Sequence, residues 1–167
     1  MKLTSPRVPP LPREAWDDAT CHTLRDVRIG SGEMPNIFKT LAHHPELLKR
    51  WMVFGNHVLF KSTLPASERE LVILRIGWLC EAEYEWAQHV RIGRQCGLDD
   101  AEIHAIKLGH SAPLWNARDV LLLKAVDELH REAFITDATY AGLAAHFSTQ
   151  QLMDLVFAIG QYNLVSM

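Results

Sequence analysis

"LPASERELVILRIGWLCEAEYEWAQHVRIGRQCGLDDAEI", residues 64 to 103, is the stretch on which the fold turns. Apolar side chains recur in it with helical period over 67–79, 82–96 and 99–109, and strand-like alternation is nowhere sustained. The boundaries carry their own chemistry. Ser67-x-x-Glu70 and Asp99-x-x-Glu102 are both capping-box patterns, in which two side chains satisfy amides that a helix start leaves unpaired. Gly97, between "RQC" and "LDD", suits a left-handed C-terminal cap.

Working outward, the same period places helical segments at 13–28, 36–43, 45–62, 116–132, 137–146 and 148–166. Pro45 suits a first helical turn, Thr136 and Ser148 are candidate N-caps, and "GHSAP" (109–113) is the clearest internal loop. The fold class predicted is all-α. "SPRVPPLP" holds four of the eight prolines, so residues 1–12 read as an extended arm ahead of a single all-helical domain over 13–167. The final segment, "QQLMDLVFAIGQYNLVSM", is apolar nearly all round and is expected to be buried, in part at a subunit contact.

Composition narrows the function. The 167 residues are 48% hydrophobic and 22% charged with a formal charge of -3, which offers no field for nucleic acid. Apolar runs are interrupted well before the ~18–20 residues that would span a bilayer, and the N-terminus has no hydrophobic signal segment. The reading is cytoplasmic, with neither membrane nor nucleic acid as partner. Cys21, Cys80 and Cys96 are an odd set without a CxxC, so neither a disulfide framework nor a four-thiolate zinc site is written here. All three read as buried small hydrophobes. On one unbroken helix Cys80 and Cys96 would stand ~24 Å apart, far beyond a disulfide.

The chemistry concentrates in "CEAEYEWAQH" (80–89). Glu81 and Glu83 suit the first turns of a helix, where carboxylates oppose the positive end of its dipole. Glu85 and His89 are one turn apart on one stripe with Ala82, and an acid beside an imidazole in an apolar setting is a candidate functional pair. Glu70 is accounted for by the Ser67 cap or, if the fold brings it against His89, by a role there. His57 reads as a hydrogen-bonded core histidine, and His43 and His44 as loop or helix-end residues. A metal needs three or four ligands while the Glu85/His89 pair supplies two, with Glu70 and His57 as additions, so no metal is expected.

The stretch 64–103, with "PNIFKTLAHHPELL" before it and "GQYNLV" near the end, resembles the carboxymuconolactone decarboxylase family over roughly 35–166. The sharpest elements are the "ERE" opening one helix and "YEWAQH" on the next. The family shares its fold with alkyl hydroperoxidase D, an all-helical oligomer whose motif is a glutamate, a CxxC pair and a histidine. Counted back from His89, the motif glutamate falls on Glu70, but the cysteine positions fall on Ala82 and Glu85. Cys80 lies two positions earlier, about 200° round a helix, and is a poor substitute.

The resemblance implies an alkyl hydroperoxidase D-like helical bundle and a lyase working without cofactor on a small carboxylated lactone or related aromatic-degradation product. His89 would be the acid, oriented by Glu70 or Glu85, with Tyr84, Trp86, Trp78 and His57 toward the substrate. Two alternatives stay open. One is a peroxidase or peroxiredoxin-like oxidoreductase, opposed by the missing CxxC, and the other an oligomer that binds an apolar or aromatic carboxylate without transforming it, with Trp78, Tyr84 and Trp86 as walls. Homo-oligomers (dimer, trimer or hexamer) are implied in each case.

Overall fold

The computed structural model describes residues 5–25, 27 and 34–167. The first four residues of the expected arm, and Asp26 and Arg28 at the end of the segment read as 13–28, lie outside the described residues. In chain order the α-helices are α1 Asp18–Leu24, α2 Asn36–Leu41, α3 Pro45–Asn56, α4 Ala66–Leu79, α5 Glu83–Gln95, α6 Asp100–Leu108, α7 Ala117–Glu132, α8 Asp137–Ala144 and α9 Thr149–Ser166. No strand occurs among the described residues, so the all-α expectation holds. No helix among them is long and apolar enough to cross a membrane. The chain divides into two compact units, Met1–His57 and Val58–Met167.

In the first unit Leu24, Phe38 and Leu48 form a buried core against which Trp16, Ile37, Leu41 and Trp51 pack. Phe38 and Trp51 meet edge to face with centroids 5.8 Å apart. The segment read as 13–28 is not one helix. A 3-10 turn, Arg13–Ala15, is followed by α1, whose N-cap Asp17 accepts from the Thr20 amide at 2.7 Å. A carboxylate in extended conformation starts a helix and thereby ends the turn before it. The proline arm lies along α2, with the Leu11 amide on the Lys39 carbonyl at 3.0 Å and His43 Nε2 2.9 Å from the Pro9 carbonyl. His44 caps α3 ahead of Pro45, as a helix-end residue should.

After α3 the backbone widens into a π turn, His57–Lys61. The inward position goes to Val58, which is buried, and His57 is exposed. The expectation of a core histidine is therefore corrected.

In the second unit α4 is the central element, with every residue from Glu70 to Gly77 buried, and it packs against α5, α6, α7 and α9. The Asp99–Glu102 capping box forms in both directions, and Thr136 and Ser148 cap α8 and α9. Gly97, at φ 101°, closes α5 in the left-handed region. The Ser67 capping box does not form: Ser67 lies inside α4, and Pro65 precedes the helix without a side-chain cap. Glu70 is fully buried with its carboxyl turned elsewhere. Helix α9 buries Leu155, Ala158, Ile159, Gln161 and Tyr162, while Met153, Val156 and Leu164 are exposed on the single chain.

Candidate active site

Helices α4 and α5 run antiparallel across the short turn 80–82, and glycine controls their spacing. A Cβ on Gly93 of α5 would lie 3.2 Å from Leu98 and 3.3 Å from Leu74, too tight for ordinary contact. One on Gly77 of α4 would rest 3.7 Å from the Glu85 stem. Between these two positions, α5 presents Glu85 and His89 to α4, and both are buried.

His89 is held at both ring nitrogens. Its Nδ1 is 2.7 Å from Glu70 Oε2, in a hydrogen bond that reaches nineteen residues back along the chain. Its Nε2 is 2.9 Å from Glu85 Oε1, yet that oxygen makes no directed hydrogen bond. The Glu85 contact is thus close but off the line of the N–H, and it is the looser of the two. Glu70 Oε1 in turn accepts from Arg69 Nε and Nη2, both at 3.1 Å. The charges alternate as guanidinium, carboxylate, imidazolium, carboxylate.

Burial alone would drive the His89 proton off, but the Glu70 hydrogen bond and the Glu85 contact outweigh it and raise the pKa to about 9. The ring is cationic at neutral pH. Tyr162, from "GQYNLV" on α9, stands edge to face against it with centroids 4.7 Å apart. Burial, and then the Glu85 and Glu70 charges, push the phenol well above its ordinary value and keep it protonated. What this arrangement can do chemically is hold and deliver a proton.

The thiols are poorly placed for redox work. Cys80 donates to Asn163 Oδ1 at 3.1 Å, and burial pushes its pKa up. Cys96 lies 3.8 Å from Arg69 Nη2, and burial followed by the Glu70 charge raises it too. A raised thiol holds less of the thiolate that peroxide chemistry requires. Cys21 is exposed and the other two are half-buried, so the expectation of three buried cysteines is corrected. Among the described residues no group of three or more His, Cys, Asp or Glu side chains is placed to hold a metal ion.

Of the residues expected from the sequence, the structure brings Glu70, Glu85 and His89 together. Trp78 and Trp86 meet with ring centroids 5.4 Å apart, on the residues next to Gly77 and Glu85. Trp78 and Tyr84 are each 42% exposed. His57 is in the first unit, exposed. Sequence reasoning missed Arg69 as the partner of Glu70 and Tyr162 as the neighbour of His89. Both lay inside quoted motifs, "ERE" and "GQYNLV", whose unassigned members were the available signal.

Residues 45–128 match the model of the carboxymuconolactone decarboxylase family. Among solved structures, a protein of unknown function from Agrobacterium tumefaciens, described as a candidate antioxidant defence protein AhpD, is 26% identical. The match covers 75% of this chain and 87% of that one, at a TM-score of 0.70. An uncharacterized peroxidase-related protein from Ralstonia eutropha with an alkylhydroperoxidase AhpD core is 18% identical, with 97% and 88% covered and a TM-score of 0.83. The debrominase Bmp8, solved with 2,3,4-tribromopyrrole, is 14% identical, with 99% and 88% covered and a TM-score of 0.75. No curated protein matches the chain significantly.

Proposed function

This chain belongs to the carboxymuconolactone decarboxylase family, and from that premise we propose that it is a cytoplasmic, homo-oligomeric enzyme that decarboxylates a small carboxylated lactone or related aromatic-degradation product by proton transfer. The observation that carries the reading is the cationic imidazole of His89, clamped between Glu70 and Glu85 at 2.7 and 2.9 Å, with Glu85 standing where the peroxidase motif has a cysteine.

The bond from ring carbon to carboxylate breaks, carbon dioxide leaves, and its electron pair passes into the lactone as an enolate. His89 delivers the Nε2 proton to carbon and is reprotonated from water. Glu70 keeps the ring oriented through Nδ1 and is itself held by Arg69. Glu85, the poorly directed partner, is the group a substrate displaces to reach Nε2. The developing enolate is stabilised by the imidazolium charge until the proton moves.

The peroxidase reading is opposed by Ala82 and Glu85 at the thiol positions and by the raised Cys80 thiol. The binding-only reading draws support from the exposure of Trp78 and Tyr84. The apolar face left exposed on α9 favours self-association.

A panel of carboxylated lactones, followed by carbon dioxide release, tests the assignment. His89→Gln should reduce turnover by about 10²–10⁴ while the fold is retained. Peroxide consumption abolished by Cys80→Ser or Cys96→Ser in a folded protein would instead establish thiol chemistry.

A further inference from the structure

Lys107, near the end of α6, holds its ammonium over two indoles at once, 4.9 Å from the Trp78 ring centroid and 5.1 Å from that of Trp86. No carboxylate stands within ion-pair distance of it among the described residues, although glutamates are plentiful on α5. Its backbone is fixed: the buried Arg75 guanidinium donates to the Ile106 and Lys107 carbonyls at 2.8 and 3.1 Å and pairs with Asp127 at 2.7 Å. Gly109 keeps room for that guanidinium, since a Cβ there would fall 2.7 Å from Arg75 Nη2. The fold therefore anchors a half-buried cation whose ammonium rests over two indoles.

We propose that Lys107, Trp78 and Trp86 form a binding subsite for a flat organic carboxylate, with the ammonium taking the carboxylate and the exposed surface of Trp78, backed by Trp86, carrying the ring. A π face attracts an ammonium but cannot accept directed hydrogen bonds as an oxygen does, so the donors stay available to an anion. The two indoles pack edge to face, and Trp78 stays 42% exposed, so a planar ring can lie against its open surface beside the ammonium. The location ties the subsite to the proton clamp. Trp86 follows Glu85 on α5 and is one turn from His89, and Trp78 follows Gly77, against which the Glu85 stem lies.

This inference rests on the acid–base reading only for what happens next to the bound anion; the binding itself does not require turnover. Benzoate and its uncharged analogue benzamide are the probes, with the full chain and tryptophan fluorescence as readout. Benzoate should quench saturably, benzamide should bind more weakly, and Lys107→Gln should weaken benzoate roughly tenfold while leaving benzamide unchanged. Benzoate affinity should fall with added salt in the wild type and in Lys107→Arg, which keeps the charge, and be nearly flat in Lys107→Gln. Absence of saturable quenching in the wild type, or equal affinity for benzoate in the wild type and Lys107→Gln, overturns the subsite. His89→Gln separates the two claims: retained benzoate binding with lost turnover supports both, and unchanged turnover would remove the proton-transfer reading while leaving the subsite standing.

Discussion

At the scale of single residues, His89 shows how burial and pairing compete. An isolated buried imidazole loses its proton, because the interior solvates the cation poorly. Here two carboxylates reverse the balance, and the geometry ranks them: Glu70 makes the directed bond and Glu85 the loose contact. Titration of the His89 imidazole by NMR should therefore give a value near 9 in the wild type. Glu85→Gln and Glu70→Gln should both lower it, and Glu70→Gln by more, since the Glu70 bond contributes most to the rise. An imidazole that titrates at its ordinary value in the wild type would show the clamp to be open in solution. Glu70→Gln should also unsettle Arg69, whose two bonds to the lost carboxylate are replaced by weaker ones to an amide.

At the scale of helices, one sequence pattern had two outcomes. Ser67-x-x-Glu70 and Asp99-x-x-Glu102 read alike, yet only the second forms its capping box. Asp99 and Glu102 sit at the surface, where each side chain is left to the other's backbone amide, at 2.8 and 2.9 Å. Glu70 is fully buried, and a buried carboxylate needs a positive partner more than an exposed amide needs a cap. Asp99→Ala should thus cost about 1 kcal/mol in denaturant unfolding, while Ser67→Ala should stay within roughly 0.5 kcal/mol of wild type. A cost for Ser67→Ala as large as that for Asp99→Ala would contradict this account. The widening of α3 into a π turn and the break ahead of α1 are of the same kind: the helical period was legible, and the change of pitch was not.

At the scale of the whole molecule, the clamp makes stability depend on pH. A His89 value near 9 in the folded protein, against about 6.5 in an unfolded chain, means that folding retains a proton the unfolded state releases. The stabilisation is complete below about pH 6.5 and is lost as pH rises through about 9. Unfolding free energy should fall across that window by on the order of a few kcal/mol, and the slope should flatten in His89→Gln. A wild-type stability that is level from pH 6.5 to 9 would refute the coupling.

The amino-acid sequence by itself determined the helical class, most helix limits, the surface caps, the pairing of Glu85 with His89 one turn apart, and the lack of thiols at Ala82 and Glu85. These depend on hydrogen bonds and contacts between residues a few positions apart, which any reading of period and spacing can reach. Only the tertiary structure decided that Glu70 would leave its own helix start for a histidine nineteen residues on, that Arg69 and Tyr162 would close around the pair, and that Lys107 would hang over two indoles. Those choices belong to the packing of α4 against α5, α6 and α9, where glycines set the approach of two helices and burial makes each charge seek the nearest opposite one. Residues far apart in the chain carry no spacing that announces such contacts.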